Sequence, residues 1–109
     1  MTDLASQECI PCKGGVPPLQ GDELAALDAR LGNGWQVVDG HHLVKEYRFP
    51  NFVDAQAFVN RVSDLSEEVN HHPEICFIWG RVTLTIWTHK IDGLTESDFV
   101  WAAKADTLA

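Results

Sequence analysis

Three imidazoles are the groups in this chain best able to do chemistry. His71 and His72 lie in the run Glu67-Glu68-Val69-Asn70-His71-His72-Pro73, and His89 follows a little further on. Imidazole is the side chain whose ordinary pKa lies near neutral pH, so clustered imidazoles can both give and take protons. Proton transfer needs them at one pocket, and their positions point to one. His71-His72 closes an apolar helical pattern just before a proline, which cannot continue a helix. His89 comes directly after an alternating strand pattern. Side chains at the ends of regular elements project toward clefts, so all three are expected to meet.

The elements that must position them are legible in order. Leu24, Leu27 and Leu31 recur at helical spacing from about Asp22, and Gly32 and Gly34 end that helix. Trp35 to Val38 reads as a strand, Asp39-Gly40 as a two-residue hairpin turn, and Leu43 to Phe49 as the return strand. His41 and His42, beside the turn, read as exposed loop residues. A long helix is predicted from Phe52 to Val69, because Ala55, Phe58, Val62, Leu65 and Val69 form one apolar stripe. Pro73 forces its end around Asn70 to His72. Ile75 to Trp79 and Arg81 to Thr88 are the next strands, with Gly80 at the turn. Val82, Leu84 and Ile86 alternate with Thr83, Thr85 and Trp87, as in a sheet covered on one face. Thr95 caps a last helix, with Asp98 placed for a capping box.

This α-β-β-α-β-β-α order predicts an α+β two-layer sandwich: a four-stranded antiparallel sheet with helices on one face. Exposed sheet edges suggest pairing with a second copy, hence a homodimer or a tetramer.

At 109 residues the chain suits one domain, and 45% hydrophobic with 22% charged residues suits a globular core. A formal net charge of −8 repels phosphate backbones and argues against nucleic-acid binding. No apolar run is long enough for a membrane helix, and no signal-peptide pattern opens the chain, so a cytoplasmic protein is expected. Residues 1–18, rich in Pro and Gly, read as a flexible leader before a single domain at 19–109. Cys9 and Cys12 in that leader have metal-ligand spacing but lack the further pair a structural zinc site needs. Cys76, inside an apolar run, reads as a small buried hydrophobe.

The residues resemble the pterin-4a-carbinolamine dehydratases. That family's signature is an acidic residue, three spacers, His-His-Pro, then an aromatic, a further His and an Asp. Glu67, His71, His72, Pro73, Trp79, His89 and Asp98 meet it at the family's spacing. Asn60-Arg61-Val62, Thr88-His89 and Gly93-Leu94-Thr95-Glu96 agree as well, so the likeness runs from about Pro17 to the C-terminus. The resemblance implies dehydration of a 4a-hydroxytetrahydropterin to the quinonoid dihydropterin, which recycles the cofactor of aromatic amino-acid hydroxylases. It implies catalysis by His71, His72 and His89, with Glu67, Asn70, Pro73, Trp79, Trp87, Thr88 and Asp98 around the substrate. It calls for no metal or organic cofactor, and a functional link to an aromatic amino-acid hydroxylase follows. The alternative within the same resemblance is a non-catalytic binding or assembly protein on this fold. Two positions depart from the pattern. Trp87 stands where many members have a small hydroxyl residue, and Ile75 where many have Trp. Trp87 is therefore expected to border the pocket and to alter tolerance for the pterin side chain at C6.

Overall fold

The structure is a computed structural model that describes residues 4–9 and 17–109. Helix α1 spans Gly21–Leu31 and ends at Gly32, whose φ of 51° an L side chain rarely adopts. Strands β1 (Gln36–Val38) and β2 (His42–Arg48) form a hairpin. Asp39 and Gly40 both have positive φ (54° and 63°), which gives the turn the twist the hairpin needs. Helix α2 runs Phe52–Val69 with Asn51 as its cap, the Asn51 side chain accepting from the Asp54 N–H at 2.8 Å. Strands β3 (Glu74–Ile78) and β4 (Arg81–Ile86) make the second hairpin, and helix α3 spans Glu96–Asp106. The expected α+β architecture and element order are those observed.

The four strands form one antiparallel sheet in the order β1-β2-β4-β3. The central pair, β2 and β4, joins the two hairpins across α2. Strand parity places Leu43, Tyr47, Val82, Leu84 and Ile86 on one face, all buried under the helices. Phe58 of α2 lies against Tyr47 and Phe49, while Trp101 of α3 meets Trp35 edge-on. The end of α3 is pinned to the sheet by Asp106, which accepts from Lys45 Nζ at 2.8 Å, from Trp35 Nε1 at 3.2 Å and from the Tyr47 hydroxyl. Burial first, and then the bond to Asp106, holds the Tyr47 phenol far above its ordinary range.

Several details differ from the sequence expectations. Cys76 is exposed, not buried. It pairs with Thr83 on the uncovered face of the edge strand, and parity within an apolar run decides this. Residues 4–9 of the leader carry packed groups: Leu4–Ser6 form a 3-10 turn, and Leu4 and Cys9 join the core. The Cys9 thiol donates to the Ser97 carbonyl at 3.6 Å, and burial pushes its pKa up to about 11. Cys12 lies outside the described residues. Strand β4 stops at Ile86, short of Thr88, because Thr88 forms a bridge with Gly93 instead. No described helix is long and apolar enough to cross a membrane.

Candidate active site

The close of α2 delivers the histidine pair. Asn70 takes the left-handed conformation (φ 54°), and the His71 N–H donates back to the Ser66 carbonyl at 3.1 Å. That fixes the exit angle, and Pro73 then carries the chain into β3. On the other side, Thr88 and Gly93 exchange backbone hydrogen bonds of 2.9 and 3.4 Å. They pinch residues 88–93 into a loop whose first turn is the 3-10 segment His89–Ile91. Between these two chain ends lies a pocket of about 280 Å³ lined by Asn70, His71, His72, Trp87, Thr88, His89 and Lys90. Helix end and strand end therefore bring His71, His72 and His89 together.

Asp98 does not line this pocket, so it is not placed to touch a substrate; it lies behind His71 and Thr88. It is fully buried, and its two oxygens divide the work. Oδ2 accepts from the Thr95 backbone N–H at 2.9 Å and from the Thr88 hydroxyl at 2.8 Å, completing the cap of α3. Oδ1 accepts from His71 Nε2 at 2.6 Å. The carboxylate is thus both the capping group expected from sequence and a histidine partner, a role the sequence did not suggest. An ionised carboxylate can only accept, so the His71 proton lies on Nε2 and Nδ1 is left as the ring's free nitrogen. His71 is itself nearly covered, with a side chain 10% exposed.

His72 is more open, and its Nε2 pairs with Glu67 Oε2 at 3.0 Å. With side chains 55% and 80% exposed, that pair orients the ring without adding much stability. Glu67 does not line the pocket, so its contact with the site runs through His72. Pro73 likewise acts by turning the chain. His89 is exposed and stacks on Trp87, with ring centroids 4.4 Å apart and planes 19° from parallel.

Trp79 falls elsewhere. It is 66% exposed at the β3–β4 turn, ahead of β4, whereas the pocket begins after β4 ends. At roughly 3.3 Å per residue the strand separates them by about 20 Å, so within one chain Trp79 does not line this pocket. Sequence reading missed the surroundings of Trp87. His41 and His42 are half-buried, not exposed loop residues, and both rings approach the indole, at 5.4 and 6.0 Å. His41 Nε2 in turn meets Asp92 Oδ1 at 2.7 Å. Finding them from sequence would have required knowing that β2 lies beside β4, which sets His42 across from Trp87. Among the described residues, no group of three or more His, Cys, Asp or Glu side chains is arranged to hold a metal ion.

Comparison with known proteins bears on the family of the chain. The family model described as Pterin 4 alpha carbinolamine dehydratase matches residues 17–108. A Rubrobacter xylanophilus protein is 65% identical over 108 residues, covering 99% of this chain and 100% of its own. An Alkaliphilus metalliredigens protein is 47% identical over 106 residues, covering 97% of this chain and 96% of its own. Both are named "Putative pterin-4-alpha-carbinolamine dehydratase". Among solved structures, a transcriptional coactivator/pterin dehydratase from Brucella melitensis superposes with a TM-score of 0.78 at 32% identity, covering 84% of this chain and 98% of its own. A pterin dehydratase-like protein identified as a RuBisCO assembly factor in the alpha-carboxysome superposes with a TM-score of 0.63 at 27% identity, covering 72% and 93%. With a family model spanning nearly the whole chain and a relative this similar over its full length, the chain belongs to the pterin 4 alpha carbinolamine dehydratase family.

Proposed function

We propose that the protein dehydrates a 4a-hydroxytetrahydropterin to the quinonoid dihydropterin by histidine acid–base catalysis, in recycling the pterin cofactor of aromatic amino-acid hydroxylases. The observation that carries this reading is the hydrogen bond of 2.6 Å from buried Asp98 to His71, which lines a pocket together with His72 and His89. Dehydration breaks the C4a–O bond and removes the proton on N5. Hydroxide leaves poorly, so an acid protonates it and water departs. The N5 electron pair forms the new C4a–N5 double bond as a base takes the N5 proton.

His71 suits the base: Nδ1 is free to accept, and Asp98 stabilises the imidazolium that results. His89, on the other wall, suits the acid that protonates the departing hydroxyl. His72, oriented by Glu67, and the nearby Asn70 and Thr88 complete the surround of a flat ring. Each proton transfer is worth about 100- to 10,000-fold, so the pair needs no metal to make the reaction fast. The test is direct. Purified protein at micromolar concentration, supplied with freshly generated 4a-hydroxytetrahydropterin, should accelerate formation of the quinonoid product well beyond buffer. A rate equal to buffer would refute the reading.

A binding or assembly role is the second reading, and exposed apolar side chains at the start of α2 and the end of β3 favour it. Phe52, Val53, Ile78 and Trp79 are large apolar side chains 44%, 70%, 54% and 66% exposed, and Phe52 meets Phe77 at 5.3 Å. Exposed apolar side chains of this size suit protein contacts. β3 is also an edge strand with no neighbour on its outer side among the described residues. Pairing of that edge with another copy supports a homodimer, or a tetramer of two dimers.

A further inference from the structure

Trp87 is the centre of a group of rings drawn from two separate parts of the chain. His89 stacks on it at 4.4 Å and 19°. His42, directly across from it in continuation of the β2–β4 register, and His41 beside the turn approach it at 6.0 and 5.4 Å. Those two rings are themselves tied: His41 Nδ1 and His42 Nδ1 lie 3.0 Å apart, and His41 Nε2 bonds to Asp92 Oδ1 at 2.7 Å. Asp92 closes the turn that His89 opens, with φ of 52° and its backbone N–H donating to the His89 carbonyl. The two imidazoles beside the indole are thus bonded to each other and to Asp92, whereas His89 has the stacking contact with Trp87. His89 is exposed and sits on a 3-10 turn of three residues, an element too short to hold a ring by itself.

We propose that Trp87 is the positioning residue for His89: its indole, beside His41 and His42, supplies the flat surface that keeps the His89 imidazole turned to the pocket. This rests on the reading of His89 as the acid in the dehydration. Free rotation about its side-chain bonds would spread an exposed imidazole over several rotamers, only some of them able to reach a departing hydroxyl. Stacking restores the productive one. A stacked pair of this kind biases the population by about three- to tenfold, and that is the size of effect expected on kcat. The role also explains how a bulky indole is tolerated beside the pocket: the indole takes up the imidazole as its stacking partner.

The experiment uses Trp87→Leu, Trp87→Phe and His89→Ala in the full chain. Trp87→Leu should lower kcat about three- to tenfold, and Trp87→Phe, which keeps a flat ring, should recover most of it. In the His89→Ala background, Trp87→Leu should have no further effect, because a positioning residue has nothing left to position. Independently of activity, the His89 ring protons of the wild-type protein should resonate upfield under the indole ring current and return downfield in Trp87→Leu. If Trp87→Leu does not fold, the wild-type ring shift and the near-normal kcat of Trp87→Phe still decide. The same fractional loss in both backgrounds, a change in KM alone, or unshifted His89 resonances would each overturn the proposal. A wild-type protein with the upfield shift but no turnover would instead overturn the dehydratase reading on which it rests.

Discussion

Asp98→Asn is the substitution that tests the proposed base most sharply. Asp98→Ala would be uninformative, since it strips partners from the part-buried Thr95 N–H and the buried Thr88 hydroxyl, each loss worth about 1–3 kcal/mol of stability. Asparagine keeps the shape. Its amide has one acceptor and one donor end, and the Thr95 backbone N–H, 2.9 Å from Oδ2, can only donate. The amide oxygen must therefore face Thr95, and the NH₂ must face His71. Its donor then points at Nε2, which becomes the acceptor, and the His71 proton moves to Nδ1. A neutral His71 in that tautomer presents an N–H to the substrate where the mechanism needs a lone pair. A misplaced tautomer in a carboxylate–histidine pair costs general base catalysis most of its benefit, so kcat should fall about 100- to 10,000-fold. The capping bonds of α3 survive, so the thermal midpoint should move by only a few degrees. Stopped-flow dehydration of 4a-hydroxytetrahydropterin reads the rate, and ¹⁵N shifts of the His71 ring read the tautomer. A well-folded Asp98→Asn protein whose kcat stays within about threefold of wild type would refute the assignment of His71 as base, because loss of the catalytic group should cost at least tens-fold.

Three other outcomes follow from the same structure. His72→Ala and His89→Ala should leave the circular dichroism spectrum unchanged and slow dehydration; removal of the acid at His89 should cost about 100-fold or more. Gly80→Ala should destabilise the β3–β4 hairpin by about 1–3 kcal/mol in urea unfolding, because an added Cβ would lie 2.7 Å from the Phe49 carbonyl oxygen, a backbone atom that cannot swing away. Sedimentation at micromolar concentration should show assemblies larger than the 12.1 kDa chain, and a lone 12.1 kDa species would refute edge pairing through β3.

Much of this protein is local, and what is local was legible. The stripe Ala55, Phe58, Val62, Leu65 and Val69 specifies α2 because period-3.6 burial has one solution. Pro73 stops the helix by sterics, and Asp39-Gly40 turns the hairpin by φ. These determine that His71, His72 and His89 stand at element ends. Thr95 and Asp98, three residues apart, likewise announce the cap of α3.

What required the tertiary structure was each relation between segments distant in sequence. No periodicity says that β2 rather than β1 lies beside β4, and only that pairing brings His41 and His42 to Trp87. Sequence could identify Asp98 as a cap. Only the packing of α3 under the end of α2 gives its second oxygen to His71. Parity within an apolar run is ambiguous, so the exposure of Cys76 is not legible there, and a family resemblance that implies Trp79 around the substrate does not show that it stands about 20 Å from the histidines along the strand. The physical reason is common to all of these: helix stripes, caps and turns are fixed by neighbours a few residues away, whereas a site is fixed by which surfaces pack together.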